Sequence, residues 1–353
     1  MIRIGINGFG RIGKAILNQV LDKQNIRVNA INFPGFDIRK IESYINNDSY
    51  HKTPKRNVQI VSDNKVNING NIIEFFDARI PNKNMWKYSD SKYVFETTGK
   101  FLTESSATQH NADYIIMCAP SKDNIVPQYL YNGNHLNYNG EKIVSNSSCT
   151  TNCIVPLIKL LNEKYGIEHC NFITVHAATA SQSVLDNPHL KKRNHRSVFN
   201  NIIPATTGAS KSAIKILPEL NGKIYGTSVR VPTGNVSMVD MNIRLIKKDT
   251  LSNILEFLRG KDEIIVSDDE HLVSSDFCST ENPTIVDSNA CLEMGDNDYK
   301  FTIWYDNEWS YSSQALKLLN YIHEQNNLPV SRMDALDIGI ARKNASNDLL
   351  EMN

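Results

Sequence analysis

The sequence lacks an excess of either charge, since its 38 Lys and Arg residues balance its 38 Asp and Glu residues. Binding to nucleic acid relies on a basic surface, so this balance gives no indication of a nucleic-acid partner. The sequence also lacks an apolar run long enough to span a bilayer. It begins on a strand-like segment, "MIRIGIN", without the layout of a signal peptide. We therefore expect no membrane partner.

Cysteines are few and show no paired spacing. The 6 cysteines are neither grouped as in zinc-binding motifs nor arranged as the framework of a small secreted domain. The sequence thus predicts no metal site and a reducing, cytoplasmic location. A local basic cluster, "KKRNHR" at Lys191–Arg196, interrupts the even charge distribution, and by itself it predicts a solvated loop.

The first 32 residues have the pattern of a nucleotide-binding unit. A strand is predicted at residues 1–6, a helix at residues 11–24 and a second strand at residues 26–32. This order is a βαβ unit, which implies a parallel sheet. Further strands are expected to start at Val58, Ile72, Tyr93, Tyr114 and Lys142. The fold class predicted for this part is an α/β Rossmann domain.

Three glycines, Gly8, Gly10 and Gly13, lie between the first strand and the helix. In dinucleotide-binding proteins the first glycine allows a tight turn, the second allows the backbone to approach the pyrophosphate, and the third allows close helix–strand packing. The N–H groups that begin the helix then face the phosphates. An acidic residue usually follows about 20 residues later to hold the ribose. Here that position is Phe33.

The second half of the chain has a different texture. A helix is expected after residue 148, then a strand ending at His176, then a long polar segment, Ser181–Asn201, that is functional or disordered. Later alternating runs predict an α+β catalytic domain with a mostly antiparallel sheet. The expected domains are residues 1–148 together with a C-terminal helix at about 312–330, and residues 149–311. A polar extension covers residues 331–353.

Cys149 closes a strand and opens a helix in "SNSSCTTNC". The positive end of the helix dipole favours a thiolate there, although a lone cysteine is more often a small buried side chain. His176 ends the next strand, which returns to the start of this helix, so the two could form a nucleophile–base pair. Small hydroxyl residues with Gly and Arg suit phosphate recognition. The candidates nearby are Ser148, Thr150, Thr179, Thr206, Thr207, Gly208 and Arg230.

A thiol, a base, a dinucleotide loop and phosphate sites together predict oxidation of a phosphorylated aldehyde through a thioester. With these features, the sequence resembles the phosphorylating glyceraldehyde-3-phosphate dehydrogenase family. The resemblance runs from residue 4 to about residue 322. The matching stretches are "INGFGRIGK", "ETTGKF", "SNSSCTTNC", "TVHAATASQ", "NIIPATTGASK", "LPELNGKIYGTSVRVPTGNVSMVD" and "WYDNEWSYS".

The resemblance implies a reversible reaction that converts glyceraldehyde 3-phosphate and inorganic phosphate to 1,3-bisphosphoglycerate, as in glycolysis and gluconeogenesis. It implies Cys149 as the nucleophile and His176 as the base that also stabilises the oxyanion. It further implies a homotetramer in which the long polar segment packs near a neighbour's cofactor site. The remaining site residues it implies are Arg11 and Ile12 at the pyrophosphate; Arg79 and Thr98 near the adenosine; Asn307 at the carboxamide; Thr179 and Arg230 at the substrate phosphate; and Ser148, Thr150, Thr207, Gly208 and Arg196 at the inorganic phosphate.

Three positions depart from the family pattern. Phe33 replaces an Asp that holds the adenosine ribose and repels a 2′-phosphate, Cys118 replaces a Ser near the cofactor, and Ser310 replaces a Gly. The expected cofactor is NAD, with NADP possible because of Phe33. Two alternatives stay open at this point. One is the related erythrose-4-phosphate dehydrogenase, against which "TTGASK" argues, and the other is a non-catalytic RNA-binding protein on the same scaffold.

Overall fold

The computed structural model of the protein describes residues 1–80, 85–190 and 192–328. Within these residues the chain forms two eight-stranded sheets with helices packed against them. The predicted extension at residues 331–353 lies outside the described residues. None of the described helices is long and apolar enough to cross a lipid bilayer.

The first sheet is built from the first 145 residues. The elements of this part are β1 (Ile2–Asn7), α1 (Arg11–Val20), β2 (Ile26–Asn32), α2 (Ile41–Asn46), β3 (Val58–Ser62), β4 (Lys65–Ile68), β5 (Asn71–Phe76), α3 (Met85–Tyr88), β6 (Tyr93–Glu96), α4 (Glu104–Ala107), β7 (Tyr114–Met117) and β8 (Ile143–Ser145). The strand order is β3-β4-β5-β2-β1-β6-β7-β8.

The strand order of the first sheet places a crevice beside β1. Strands β5, β2, β1, β6, β7 and β8 are parallel, and β2 and β6 flank β1 on opposite sides. The chain thus reverses its direction of winding at β1, and ligands of such sheets bind at the carboxyl ends of the strands near this point. The predicted Rossmann fold is confirmed. Strand β3 begins at the predicted Val58. Strand β4 and the antiparallel edge that it forms with β3 and β5 were not predicted.

Helix α1 and the last described helix, α8 (Trp309–Gln325), cover one face of the first sheet. The apolar side chains Ile4, Ile16 and Leu319 meet there in one buried cluster. Helix α1 ends at Val20 rather than at the predicted residue 24, because the polar run at residues 22–25 offers no apolar side chain to bury. The last described helix therefore returns to the first sheet.

The second sheet follows. Its part of the chain contains α5 (Cys149–Tyr165), β9 (Ile167–His176), β10 (Ile203–Ala205), α6 (Ala209–Ile216), β11 (Ile224–Arg230), β12 (Ser237–Leu245), α7 (Leu251–Arg259), β13 (Ile265–Ser267), β14 (Ile285–Asp287), β15 (Leu292–Glu293), β16 (Asp298–Tyr305) and α8 (Trp309–Gln325). Most strand pairs are antiparallel, as predicted, while β9–β11 and β13–β14 are parallel. Helices α5, α6 and α7 share a core with one face of this sheet.

The long polar segment between β9 and β10 contains no extended strand among its described residues. A single bridge joins Ser183 to Ser197, and a short 3₁₀ turn covers Lys192–His195. The apolar side chains of Leu185 and Phe199 are exposed on it, at 74% and 61%.

Candidate active site

A cavity of about 690 Å³ lies at the carboxyl ends of β1 and β2 and extends to the start of α5. It contains residues from both sheets, so it joins the glycine turn to the cysteine and histidine. The lining residues are Asn7, Gly8, Phe9, Gly10, Arg11, Ile12, Asn32, Phe33, Pro34, Ala78, Arg79, Thr97, Thr98, Lys100, Phe101, Cys149, His176, Thr179, Ala180, Arg230, Asn307 and Glu308.

The steric reason for having glycine differs among the three positions of the turn. Gly8 has φ +98°, in the left-handed region, and a Cβ there would lie 2.8 Å from Oγ1 of Thr97. A Cβ on Gly13 would lie 2.2 Å from the carbonyl oxygen of Gly8, so the helix packs directly on the turn. A Cβ on Gly10 would meet no protein atom within 4 Å. Gly10 lines the cavity, so its bare backbone is open to a ligand.

Helix α1 begins at this turn without a side-chain cap. The first N–H groups of a helix have no partner within it, and those of Arg11 and Ile12 belong to residues that line the cavity. These donors and the open backbone at Gly10 fit a pyrophosphate. The guanidinium group of Arg11 is engaged elsewhere, since it bonds Asp48 at 2.6 Å and also Glu308. Any phosphate contact of Arg11 therefore comes from its backbone.

Cys149 and His176 lie together at the other end of the cavity. Cys149 is the first residue of α5, and His176 is the last residue of β9. The strand runs back alongside the helix and brings Nε2 of His176 to 3.5 Å from Sγ of Cys149. Nδ1 of the same ring lies 2.8 Å from the carbonyl oxygen of Ala177 and 2.6 Å from Nη1 of Arg230.

The environment keeps both members of the pair neutral. Burial, together with the charge of Arg230, lowers the pKa of His176 to about 3. Burial raises the pKa of Cys149, although the charge of Arg230 and the N–H group of Thr150 oppose the rise. The sequence had favoured a thiolate from the helix dipole alone, and burial of the thiol outweighs that effect. A neutral imidazole beside a neutral thiol is an arrangement for general-base activation.

Comparisons with known proteins show which family the chain is similar to. The model of the NAD binding domain of glyceraldehyde 3-phosphate dehydrogenase matches residues 2–104, and that of its C-terminal domain matches residues 148–307. A glyceraldehyde-3-phosphate dehydrogenase of Buchnera aphidicola subsp. Schizaphis graminum is 40% identical over 91% of this chain and 98% of its own length. One of Podospora anserina is 38% identical over 91% and 97%.

The chain belongs to the glyceraldehyde-3-phosphate dehydrogenase family. Membership confirms that it is an enzyme, an oxidoreductase that uses a nicotinamide dinucleotide. It favours neither the erythrose-4-phosphate nor the RNA-binding alternative. A chloroplastic glyceraldehyde-3-phosphate dehydrogenase of Arabidopsis thaliana is also 38% identical, over 91% of this chain and 78% of its own length.

The structure of this family member gathers many of the residues singled out in the sequence. The cavity lining includes Gly8, Gly10, Arg11, Ile12, Phe33, Arg79, Thr98, Cys149, His176, Thr179, Arg230 and Asn307. Oδ1 of Asn307 accepts a hydrogen bond from Ser237, which leaves its amide NH₂ group as the donor for a ligand. Within the described residues, no cluster of His, Cys, Asp or Glu could hold a metal ion.

Other singled-out residues lie outside the cavity lining. Ser148 caps α5 by accepting a hydrogen bond from the Thr151 amide, and Thr150 bonds the hydroxyl of Tyr305 at 2.9 Å. Gly208 caps α6, and Thr207 accepts a hydrogen bond from the Ala209 amide.

Arg196 and Cys118 also lie away from the lining. Arg196 is exposed and pairs with Asp186 at 3.0 Å in the long polar segment. Cys118 follows β7 and packs against the buried apolar cluster of the first sheet. Burial raises the pKa of its thiol. Their roles at the phosphate and cofactor sites stay predictions.

The first departure from the family pattern, Phe33, is accommodated by packing against other aromatic side chains. Its ring packs against Phe9, Phe36 and Tyr44, at centroid distances of 6.0, 5.2 and 6.4 Å. It therefore belongs to an aromatic cluster and offers no polar atom to a ribose. The third departure, Ser310, is buried in α8, where its hydroxyl donates to the carbonyl oxygen of Asp306 at 2.6 Å.

Several lining residues were not identified from the sequence, among them Asn7, Asn32, Lys100 and Glu308. Asn7 and Asn32 each end a parallel strand, and that position was the signal that could have identified them. Glu308 comes to the cavity only because α8 returns to the first sheet.

Proposed function

We propose that the protein catalyses the reversible oxidation and phosphorylation of glyceraldehyde 3-phosphate to 1,3-bisphosphoglycerate, with Cys149 as nucleophile and His176 as base. The observation that carries the proposal is the 3.5 Å approach of Sγ to Nε2 within the same cavity as the glycine turn. Sγ attacks the aldehyde carbon while the thiol proton passes to Nε2. The imidazolium then donates that proton in a hydrogen bond to the oxyanion of the thiohemiacetal.

A bound nicotinamide dinucleotide supplies the acceptor for the hydride that leaves the thiohemiacetal carbon. The product is a thioester on Cys149. An oxygen of inorganic phosphate attacks the thioester carbonyl, the C–S bond breaks, and the sulfur regains its proton from the imidazolium of His176, which becomes neutral again. The Asn307 amide suits the carboxamide of the cofactor, and the Gly10 backbone and the first N–H groups of α1 suit its pyrophosphate.

Two phosphate sites are part of the proposal. Arg230 and Thr179 line the cavity and are assigned to the substrate phosphate, which a guanidinium and a hydroxyl would hold by charge-assisted hydrogen bonds. The inorganic phosphate is assigned to Ser148, Thr150, Thr207, Gly208 and Arg196, on the resemblance to the family.

For cofactor choice we propose relaxed selection, with NAD as the favoured partner and NADP accepted. Glu308 is the one carboxylate among the described lining residues, and it is held by Arg11. Arg79 and Lys100 line the cavity as cations. Losing a charge-assisted bond to the ribose should weaken NAD by about ten- to a hundred-fold. The lost carboxylate also removes the repulsion of a 2′-phosphate.

A homotetramer in the cytoplasm is proposed for the assembly and its location. Exposed apolar side chains on and just after the long polar segment support self-association, because such groups are usually covered by a partner. They are Val184, Leu185, Phe199 and Ile202. All six cysteines are free, which suits a reducing compartment. The domain boundaries proposed are 1–148 with 312–330, and 149–311, in keeping with the two separate cores.

The test is a steady-state assay of the purified protein with glyceraldehyde 3-phosphate, in the presence and absence of inorganic phosphate, with NAD and with NADP. We expect phosphate-dependent reduction of both cofactors, and abolition of turnover in Cys149→Ser but not in Cys278→Ser. Phosphate-independent turnover, or higher activity with erythrose 4-phosphate, would contradict the assigned substrate. Undiminished turnover in Cys149→Ser would remove Cys149 as the nucleophile.

A further inference from the structure

A fully buried carboxylate, Glu96, lies at the end of β6 and takes no part in the proposed chemistry. Its exposed fraction is 0%. Oε1 accepts hydrogen bonds from the amide of Thr98, at 2.8 Å, and from the hydroxyl of the same residue. Oε2 accepts from Nδ2 of Asn7 at 2.6 Å and lies 3.0 Å from Nε2 of His110, which is itself fully buried. Three neighbouring residues thus face the carboxylate with four N–H or O–H groups.

A chain of side-chain amides continues from Glu96 to the end of β2. Oδ1 of Asn7 accepts from Nδ2 of Asn32 at 2.7 Å. Asn32 in turn donates to the carbonyl oxygen of Ala78 at 2.9 Å and accepts from the Ala78 amide at 2.9 Å. Oγ1 of Thr97, next to Glu96 in the chain, donates to the carbonyl oxygen of Gly8 at 2.8 Å. One carboxylate therefore ties together the ends of β1, β2 and β6 and the segment after β5.

The segments held in this way form one half of the cavity. Gly8, Thr98, Phe33 and Arg79 line it and are each in, or adjacent to, a member of the network. Glu96 itself does not line the cavity. Phe33 provides no polar group for a ribose, so the polar groups in this half of the cavity come from the backbone and from neighbours such as Thr98 and Arg79.

We infer that Glu96 is a positioning residue that shapes the adenosine half of the dinucleotide site through Thr98, Asn7 and Asn32. The inference rests on the proposed function, because it concerns the same cofactor site. Glu96 acts through other residues and does not touch the cofactor.

The network requires a carboxylate rather than an amide. Gln at position 96 accepts hydrogen bonds on one atom only, so its NH₂ group would face a donor on Thr98, Asn7 or His110. His110 can change its tautomer, but Asn7 can turn only if Asn32 turns as well. Asn32 would then place its oxygen against the carbonyl oxygen of Ala78 and its NH₂ against the Ala78 amide. Both contacts are unfavourable in a buried site.

The experiment compares Glu96→Gln with the matched control Glu141→Gln. Glu141 also accepts two hydrogen bonds, from Tyr129 and the Asn139 amide, but it does not line the cavity. The readouts are the Kd of NAD and of ADP-ribose from quenching of protein fluorescence, the KM for glyceraldehyde 3-phosphate, and the rate of Cys149 alkylation by iodoacetamide.

We expect Glu96→Gln to raise both Kd values by about ten- to a hundred-fold, while the KM for the aldehyde and the alkylation rate stay within about three-fold of the wild type. Glu141→Gln should leave all four unchanged. Unchanged Kd values, or a parallel loss of binding and alkylation, would overturn the positioning role. A wild-type protein that binds no dinucleotide would instead contradict the proposed function.

A second variant decides the matter if Glu96→Gln does not fold. His110→Phe keeps a ring at that place but removes one donor to Glu96, and His110 lies outside the cavity lining. A several-fold higher Kd for NAD in this variant supports the inference, and an unchanged Kd overturns it.

Discussion

Arg230 and His176 are in direct contact, with Nη1 of the arginine 2.6 Å from Nδ1 of the histidine. Nη1 donates a hydrogen bond to the carbonyl oxygen of Ala177 at 3.0 Å. Burial and this neighbouring cation both penalise the imidazolium form, which accounts for the pKa of about 3. The residue assigned to the substrate phosphate therefore also keeps the base unprotonated.

The first prediction concerns this contact. In Arg230→Gln the pKa of His176 should rise from about 3 toward its ordinary value of 6.5, because a cation no longer opposes protonation. A pH titration of the imidazole nitrogens by NMR measures the shift. Arg244→Gln, which removes a surface arginine paired with Asp298, is the control and should leave the value unchanged. An unshifted pKa in Arg230→Gln would mean that burial alone sets it.

His176 should also make the protein sensitive to acid. Its pKa is lower in the folded chain than in the unfolded one, so the unfolded chain binds the proton first as the pH falls below about 6.5. The contribution to stability is present above that pH and is lost between about 6.5 and 3. Urea unfolding at pH 7.5 and 4.5 should show that His176→Gln loses about 1–3 kcal/mol less than the wild type over this interval. Equal losses would contradict the lowered pKa.

Removing the base should affect the rate more than binding. His176→Gln should lower kcat by roughly 10²–10⁴-fold, the usual contribution of general acid–base catalysis, with little change in cofactor Kd. Stopped-flow and steady-state measurements of NADH formation check this. His169→Gln changes an exposed histidine on the same strand and should keep full activity. A similar loss in both variants would point to a defect of β9 rather than of the base.

Alanine substitutions at two glycines of the same turn should affect different properties. One should weaken NAD binding, and the other should lower the stability of the fold. The Cβ of Gly10→Ala meets no protein atom, so Tm should stay unchanged while the Kd for NAD rises by about ten-fold or more. The Cβ of Gly13→Ala would lie 2.2 Å from the Gly8 oxygen, and relieving that clash should cost about 1–3 kcal/mol of stability. Thermal unfolding and fluorescence titration of both variants separate the two effects. A destabilised Gly10→Ala would contradict the open backbone.

Cofactor choice should depend on charge at position 33. Phe33→Asp restores the carboxylate and should raise the ratio of kcat/KM for NAD over NADP by about ten- to a hundred-fold relative to Phe33→Asn. The Asn variant has the same size, so it controls for loss of the aromatic packing with Phe9 and Tyr44. Equal ratios in the two variants would show that the position does not read the 2′-phosphate.

The sequence predicted the architecture well where local patterns are strong. The βαβ unit, the later strands and the last helix were located by hydrophobic periodicity and by the glycine turn. Strand β3 was predicted at Val58, but β4 was missed because Lys65–Ile68 has only 4 residues, which is too short for its alternation to stand out. Periodicity predicts the last helix but does not say which sheet it packs against, and the structure places α8 against the first sheet.

The sequence by itself determined the chemistry available to this protein: a glycine turn before a helix, a cysteine at a helix start, and a histidine at a strand end. Each of these is a local property of a few neighbouring residues. Only the tertiary structure decided whether these groups are charged or neutral and which residues lie beside them. Burial and the charge of Arg230 keep the thiol of Cys149 and the imidazole of His176 neutral. Phe33 packs in an aromatic cluster, and Glu96 accepts hydrogen bonds from four donor groups. Such effects depend on distances between segments far apart in the chain, which local patterns do not specify.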